Sequence, residues 1–331
     1  MKDLNTLTNK KVVVIGGGTG TYQVLSGLKK YSLDISAIIS MCDSGGSTGR
    51  LRKELGILPP GDVRRAILAL SDLPFAQKTL EELFDFRFNK GSTLKGHSVG
   101  NLLLAALTQI TGSMDKAIEE AARILQSNGN VYPVTLDKTN LVAVLDDGTR
   151  IFGETNIDRR RIKPNLKIKR VFLNPKARVF NKASLAIENA DFVIFGPGDL
   201  YTSIIPTLLV EGVVSSLIKS KAKIAYVVNL MTKKGETDGF TASDFTQEII
   251  NYLKEGRKNL NYIFVNKEIN HSKSVISRWY KKYGCIPVKN DLAYFSKKNK
   301  GIKIIEKDFL SKTTFFRHDP EKLARAITPL F

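Results

Sequence analysis

Two glycine-rich segments, Gly16-Gly17-Gly18-Thr19-Gly20-Thr21 and Asp43-Ser44-Gly45-Gly46-Ser47-Thr48-Gly49-Arg50, each follow a short apolar run. Glycine without a Cβ lets a backbone approach a phosphate closely. A helix opening after such a loop turns its unsatisfied N–H groups and positive dipole end toward the anion. Gly17, Gly18, Thr19 and Gly20, with Ser44, Gly45, Gly46 and Ser47, therefore predict a phosphate or nucleotide cradle. Neither standard fingerprint is met: the first segment misses the last glycine of the dinucleotide pattern, and no Lys-Ser or Lys-Thr pair follows as a P-loop requires. Two more segments leave apolar runs in the same way, Gly196-Pro197-Gly198-Asp199-Leu200-Tyr201-Thr202-Ser203 and the stretch from Asn229 through Asp244. Tyr201, Thr202 and Ser203 can donate hydroxyls to an anion at a helix start, or simply form the turn.

The ionisable residues near these loops admit two roles each. Asp43 can accept a ribose hydroxyl or hold a divalent metal, or cap its own loop as an Asx turn. Arg50 and Arg52 flank the second loop and can offer planar donors to phosphate, or point to solvent. Asp62 follows Pro59-Pro60-Gly61, where the default role is a helix N-cap and the alternative is a metal shared with Asp43. His97 and Asn101 open a very apolar stretch, where polar groups can cap the helix or line a buried pocket. No serine or carboxylate stands near His97 in triad context, so nucleophilic catalysis is not expected.

These loops need a scaffold, and the pattern supplies one. Apolar Val12–Ile15, a helix over 21–31 with Tyr22, Leu25 and Leu28 on one face, and a strand over 35–41 open a βαβ unit, hence a parallel sheet. Helices are expected over 62–70, 101–108 (apolar enough to be packed inside) and 114–126. Between 131 and 180 the texture changes to short alternating runs around Asp146-Asp147-Gly148, a hairpin signal that places a small antiparallel β insert there. The βα rhythm returns with helices over 184–189, 204–218 around Gly212, 241–253, 272–283 and 319–327, the last begun by Asp319-Pro320. Strands are expected over 191–195, 223–228 and 261–265. The expectation is a Rossmann-like three-layer α/β/α fold: a glycine-loop half over 1–130, the insert over 131–180, and a second half over 181–331 completing the same sheet. In such sheets ligands bind outside the carboxyl ends of the strands, which is where the four loops fall.

The 331 residues carry 42% hydrophobic and 25% charged side chains, which excludes disordered and collagen-like classes. No leader pattern stands in the first residues and no apolar run reaches membrane length, so a soluble cytoplasmic protein is expected. Cys42 and Cys285 are read as free thiols, lacking metal-ligand spacing or a disulfide framework. The net charge of +19 attracts polyanions. Its lysines are scattered, however, and the densest cluster, Arg159 to Arg170, has no interleaved aromatics, so nucleic acid is not the expected partner.

Taken together, Gly-Gly-Gly-Thr-Gly, Asp43-Ser-Gly-Gly-Ser-Thr-Gly-Arg-Leu-Arg, Pro-Pro-Gly-Asp62-Val-Arg, Gly96-His-Ser-Val-Gly-Asn-Leu, Gly196-Pro-Gly-Asp-Leu-Tyr-Thr-Ser-Ile, Asn229-Leu-Met-Thr and Arg317-His-Asp-Pro-Glu-Lys-Leu resemble the YvcK and CofD-like family (UPF0052) over essentially the whole chain. That family has two branches, gluconeogenesis factors that bind UDP-sugars and support cell-wall morphogenesis, and metal-dependent 2-phospho-L-lactate transferases. The segment Gly235 to Asp244 and the ending Arg317-His318-Asp319-Pro320 resemble the first. The resemblance implies a UDP-sugar such as UDP-N-acetylglucosamine, or another nucleotide, seated on the glycine loops and Gly196 to Ser203. It places Arg317 and the Tyr280 to Tyr283 region over base or sugar, and magnesium at Asp43 and Asp62 in the transferase branch. It also implies a homo-oligomer, cell-wall or morphogenesis proteins as partners, and binding without turnover. Two positions depart from the pattern. Asp199 stands where serine is usual, and Lys233-Lys234 where Gln-Pro is usual, the lysines restoring positive charge nearby.

Overall fold

Residues 9–331 are described by the computed structural model, except 75–76, 92, 161, 164, 268–272, 300 and 315. Arg161 of the basic cluster and Ser272, expected to open a helix, lie outside the described residues. The strands are β1 (Lys10–Gly16), β2 (Leu33–Ile39), β3 (Asn130–Pro133), β4 (Asn140–Leu145), β5 (Arg150–Phe152), β6 (Ile168–Asn174), β7 (Phe192–Phe195), β8 (Lys223–Val227), β9 (Leu260–Asn266) and β10 (Lys303–Lys307). Seven of them form a wholly parallel sheet in the order β10-β9-β8-β7-β1-β2-β3. Val12, Val13, Val14 and Ile15 of β1 are all buried, as a central strand covered on both faces requires.

The covering helices follow from chain order: α1 (Gly18–Leu28), α2 (Gly46–Leu55), α3 (Gly61–Leu70), α4 (Lys78–Asp85), α5 (Val99–Thr111) and α6 (Met114–Ile124) come from the first half. After α7 (Glu154–Asp158) in the insert, the second half adds α8 (Asn181–Glu188), α9 (Ile205–Leu208), α10 (Val213–Lys219), α11 (Ala242–Leu253), α12 (Lys273–Tyr283), α13 (Leu292–Lys298) and α14 (Pro320–Ile327). The three-layer α/β/α expectation is met. None of the described helices is long and apolar enough to cross a membrane.

The chain leaves β1 toward β2 and leaves β7 toward β8, in opposite directions along the sheet. The crevice between the ends of β1 and β7 is therefore the topological switch point, where open α/β sheets bind ligands. Gly20 makes the two loops meet: a Cβ there would lie 1.8 Å from the carbonyl oxygen of Pro197.

Asp146-Asp147-Gly148 joins β4 and β5 as an antiparallel pair, and β6 completes the small sheet β5-β4-β6. β3 pairs instead with β2 at the edge of the large sheet. Several elements differ from the sequence reading. α1 begins three residues early, so Gly18 to Gly20 form its first turn rather than a loop before it. Tyr22 is partly exposed, and Val24 joins Leu25 and Leu28 on the buried face. The helix expected over 204–218 is broken into a π-helical turn (Leu200–Ile204), α9 and α10. Gly212 causes the second break: its φ is 104°, and a Cβ there would meet Val179 Cγ1 at 2.5 Å. α5 buries Leu104 and Ala105 but exposes Ile110 by 79%, so it is a one-sided rather than an enclosed helix. Asp319 caps α14 as expected, accepting from the amides of Glu321 and Lys322.

Candidate functional site

Two clefts of about 380 and 370 Å³ open side by side at the switch point and share Asp199 as a wall. The larger is partly aromatic. Thr19 and Gly20 of α1, Gly198 and Asn229 form its floor, and Trp279, Tyr283, Phe316 and Arg317 form its sides. The smaller is polar: Gly18, Gly45, Gly46 and Ser47 meet Asp43, Asp62, Thr202 and Ser203, with Arg64, Arg65, Arg87 and Arg159 around them.

Each expected residue has a definite place. Gly17 is the N-cap of α1 and packs on Asp62, whose Oδ2 lies 2.6 Å from where a Cβ would stand. Gly196 packs against Thr21 behind the loop. Asn229 fastens Gly198 by accepting from its amide at 3.3 Å and donating to its carbonyl at 2.8 Å. His97 lines neither cleft; its Nδ1 lies 2.9 Å from Ser47 Oγ, which also accepts from Asn101 Nδ2 at 3.1 Å. His97 and Asn101 thus aim Ser47, and Asn101 itself reaches the polar cleft.

Three expected residues stand elsewhere. Arg50 donates to the carbonyls of Thr93 and Lys95 rather than into a cleft. Tyr201 is buried, edge-on to Phe240, because the π-helical turn rotates it into the core, while Ser203 and the buried Thr202 line the polar cleft. Tyr280 is 55% exposed, and its neighbours Trp279 and Tyr283 take the cleft-lining positions, one helical turn apart. Arg52 braces the second loop through the Asp43 carbonyl at 3.1 Å.

Asp43 caps its own loop and still faces the polar cleft. Its Oδ1 accepts from the Gly45 amide at 2.8 Å, an Asx-type contact, while the carboxylate faces the polar cleft. Asp62 is not the N-cap of α3 but its second residue, only 16% exposed at the side chain, with Arg65 Nη1 3.9 Å away. Burial, and then the charge of Asp43, push its carboxyl up to about 6. Glu154 of α7 lines the same cleft, accepts from the Ser44 amide at 3.2 Å, and is pushed up to about 7 by burial and by Asp43. These are hard oxygen donors, and Asp43 repels both of the others, so a divalent cation such as magnesium is the kind of group they could hold.

Among the described residues, the one group of three mutually close acids is a different one, Asp158, Asp199 and Glu236, with ligand atoms within 4.8 Å of one another. Lys233 Nζ sits among them, 2.5 Å from Asp199 Oδ2 and 3.0 Å from Glu236 Oε1 and bonded also to Asp158. The charge expected near Asp199 is therefore delivered as a direct ion pair. The Arg159 to Arg170 cluster does not act as one stripe: Arg159 borders the polar cleft, while Arg160 is buried and donates to the Leu166 carbonyl.

Glu154, Asp158, Arg64, Arg65 and Trp279 were missed. For Arg64-Arg65 a signal existed, since they lie within one turn of Asp62; for Glu154 and Asp158 none did, because α7 reaches the cleft only through folding of the insert. Cys42 is buried, with its thiol pushed up to about 12 by burial, and Cys285 lines the aromatic cleft; both are free thiols.

Comparison with known proteins agrees with this architecture. A family model described as 2-phospho-L-lactate transferase CofD matches residues 12–310. A Bacillus subtilis protein named gluconeogenesis factor is 39% identical over 322 residues, covering 97% of this chain and 98% of that protein. One of the same name from Halalkalibacterium halodurans is 46% identical over 251 residues, 76% of each chain. The crystal structure of a UPF0052 family member from Bacillus halodurans superposes with a TM-score of 0.88 at 41% identity, over 97% of this chain and 99% of the other. The chain belongs to the CofD (UPF0052) family, among relatives named gluconeogenesis factors.

Proposed function

We propose that this protein is a cytoplasmic, nucleotide-sugar-binding regulator of the gluconeogenesis-factor type, taking a UDP-sugar such as UDP-N-acetylglucosamine. Its role is in cell shape and morphogenesis during growth on gluconeogenic carbon, exerted through wall-synthesis or morphogenesis proteins. The observation that carries this reading is the junction of a polar, arginine-rimmed cleft with an aromatic one at the switch point. A diphosphate suits the first, where backbone amides of helix starts and arginines converge. A flat base or a sugar ring suits Trp279 and Tyr283. Two hydroxyls of the polar cleft lie on a base, Ser47 on His97 Nδ1 at 2.9 Å and Thr155 on the Glu154 carboxylate at 3.0 Å; in this reading of binding without turnover both serve to position the loops.

Calorimetric titration with UDP-N-acetylglucosamine, GDP and NAD, each with and without magnesium, tests it. Selective binding of the UDP-sugar is expected, and selective binding of NAD or GDP contradicts it.

The opposed acids Asp43, Asp62 and Glu154 favour one second reading, metal-dependent transfer from a nucleoside diphosphate to an alcohol acceptor in the manner of the transferase branch. There Asp43 and Asp62 would hold magnesium, which supplies charge neutralisation at the phosphates. Magnesium-dependent release of a nucleoside monophosphate, lost in Asp62→Asn, supports that reading; tight binding with no release rejects it.

A further inference from the structure

Lys233 lies where three segments converge. α7 of the insert brings Asp158, the loop after β7 brings Asp199, and the loop after β8 brings Lys233 itself with Glu236. The Glu236 carboxylate is fully buried and also accepts from the Thr202 hydroxyl at 3.2 Å. Three carboxylate oxygens within 4.8 Å of one another form a spacing suited to a hard cation, and an ammonium has the three donors to match.

We infer that Asp158, Asp199 and Glu236 form a cation site that this chain fills with its own Lys233. The wall between the two clefts, and the attachment of the insert to it, thereby assemble without a divalent ion. Asp199 and Lys233, which with Lys234 depart from the pattern the chain resembles, are the two ends of one ion pair. Lys233 is the one cation that these pairs share, so its loss would leave the fully buried Glu236 carboxylate without the counter-charge it has here. No nucleotide takes part in these ion pairs, and the wall holds whether or not a UDP-sugar binds.

The test is Lys233→Met, with both it and the wild-type chain carrying Asp43→Asn so that the polar cleft does not contribute. Trp279 lines the same cleft as Lys233 and serves as the antenna for terbium(III) luminescence. The variant is expected to give a saturable terbium signal that calcium or magnesium competes away, and to melt higher with the divalent ion than with chelator. The Lys233 parent is expected to give neither, and Asp199→Ser with Lys233→Gln is expected to melt alike with ion and with chelator. If Lys233→Met does not accumulate in folded form, the same titrations are made on Lys233→Gln, whose amide keeps a polar head without the charge. A terbium signal and melting response equal to those of the Lys233 parent overturn the inference in either variant.

Discussion

Asp62 is held out of water beside a second carboxylate, and that arrangement sets a stability slope. Its carboxyl moves from 3.8 to about 6, and that of Glu154 from 4.5 to about 7. Both folded-state values lie above the unfolded ones, so the native state binds more protons. The stabilisation is complete below the ordinary carboxylate range and is lost as pH rises through these raised values. Without divalent ions, the melting temperature is expected to fall between about pH 4 and pH 7 on account of this pair. Asp62→Asn is expected to flatten the fall, as is magnesium added to the wild-type chain; melting curves across that range check it. A variant that keeps the full slope would show that Asp62 does not sense its neighbours. At this scale the sequence told much about residue type and little about direction. It offers Asp43 as turn or ligand, and the geometry shows the turn contact on a carboxylate that faces the cleft, whereas Tyr201, expected by type, and Tyr280, expected by resemblance, point elsewhere.

Elements were legible where backbone chemistry left a mark on composition. The four-residue apolar run of β1 followed by glycines, and the Asp-Gly turn between β4 and β5, both read correctly because each signal is local. The break of the helix expected over 204–218 was not legible. Gly212 is unremarkable as a residue, and what makes glycine necessary there is its positive φ together with the close approach of Val179 from the segment before α8. The π-helical turn at Leu200–Ile204 was equally silent, although it decides which hydroxyls face the cleft.

Gly20 gives the sharpest element-level test. Its Cα approaches the Pro197 carbonyl so closely that a methyl would sit 1.8 Å from the oxygen and 2.4 Å from the carbon, both backbone atoms of the partner loop. Gly20→Ala is therefore expected to destabilise by about 1–3 kcal/mol or more, by overpacking, and to pull the two clefts apart. Denaturant unfolding and a ligand titration on the same preparation measure both effects. Unchanged stability would mean that the loops are not locked together there.

The whole molecule places four sequence-distant loops at one crevice because a parallel sheet that winds both ways from β1 and β7 has one switch point. That convergence could be anticipated from the βα rhythm. The reach of α7 into the crevice could not, since the insert's position depends on long-range contacts such as the Ser44 amide to Glu154. The net charge of +19 gives the molecule a field that favours anions, while the crevice itself gathers the acids Asp43, Asp62, Glu154, Asp158 and Asp199. The central claim is that one nucleotide-sugar spans both clefts across the Asp199 wall, and a crystal structure of the protein with UDP-N-acetylglucosamine and magnesium tests it most directly. The account predicts the diphosphate at the start of α1 and beside Ser47 and Arg65, with a ring of the ligand against Trp279 or Tyr283. A diphosphate bound away from Gly18 to Gly20, with the aromatic cleft left open, would contradict it.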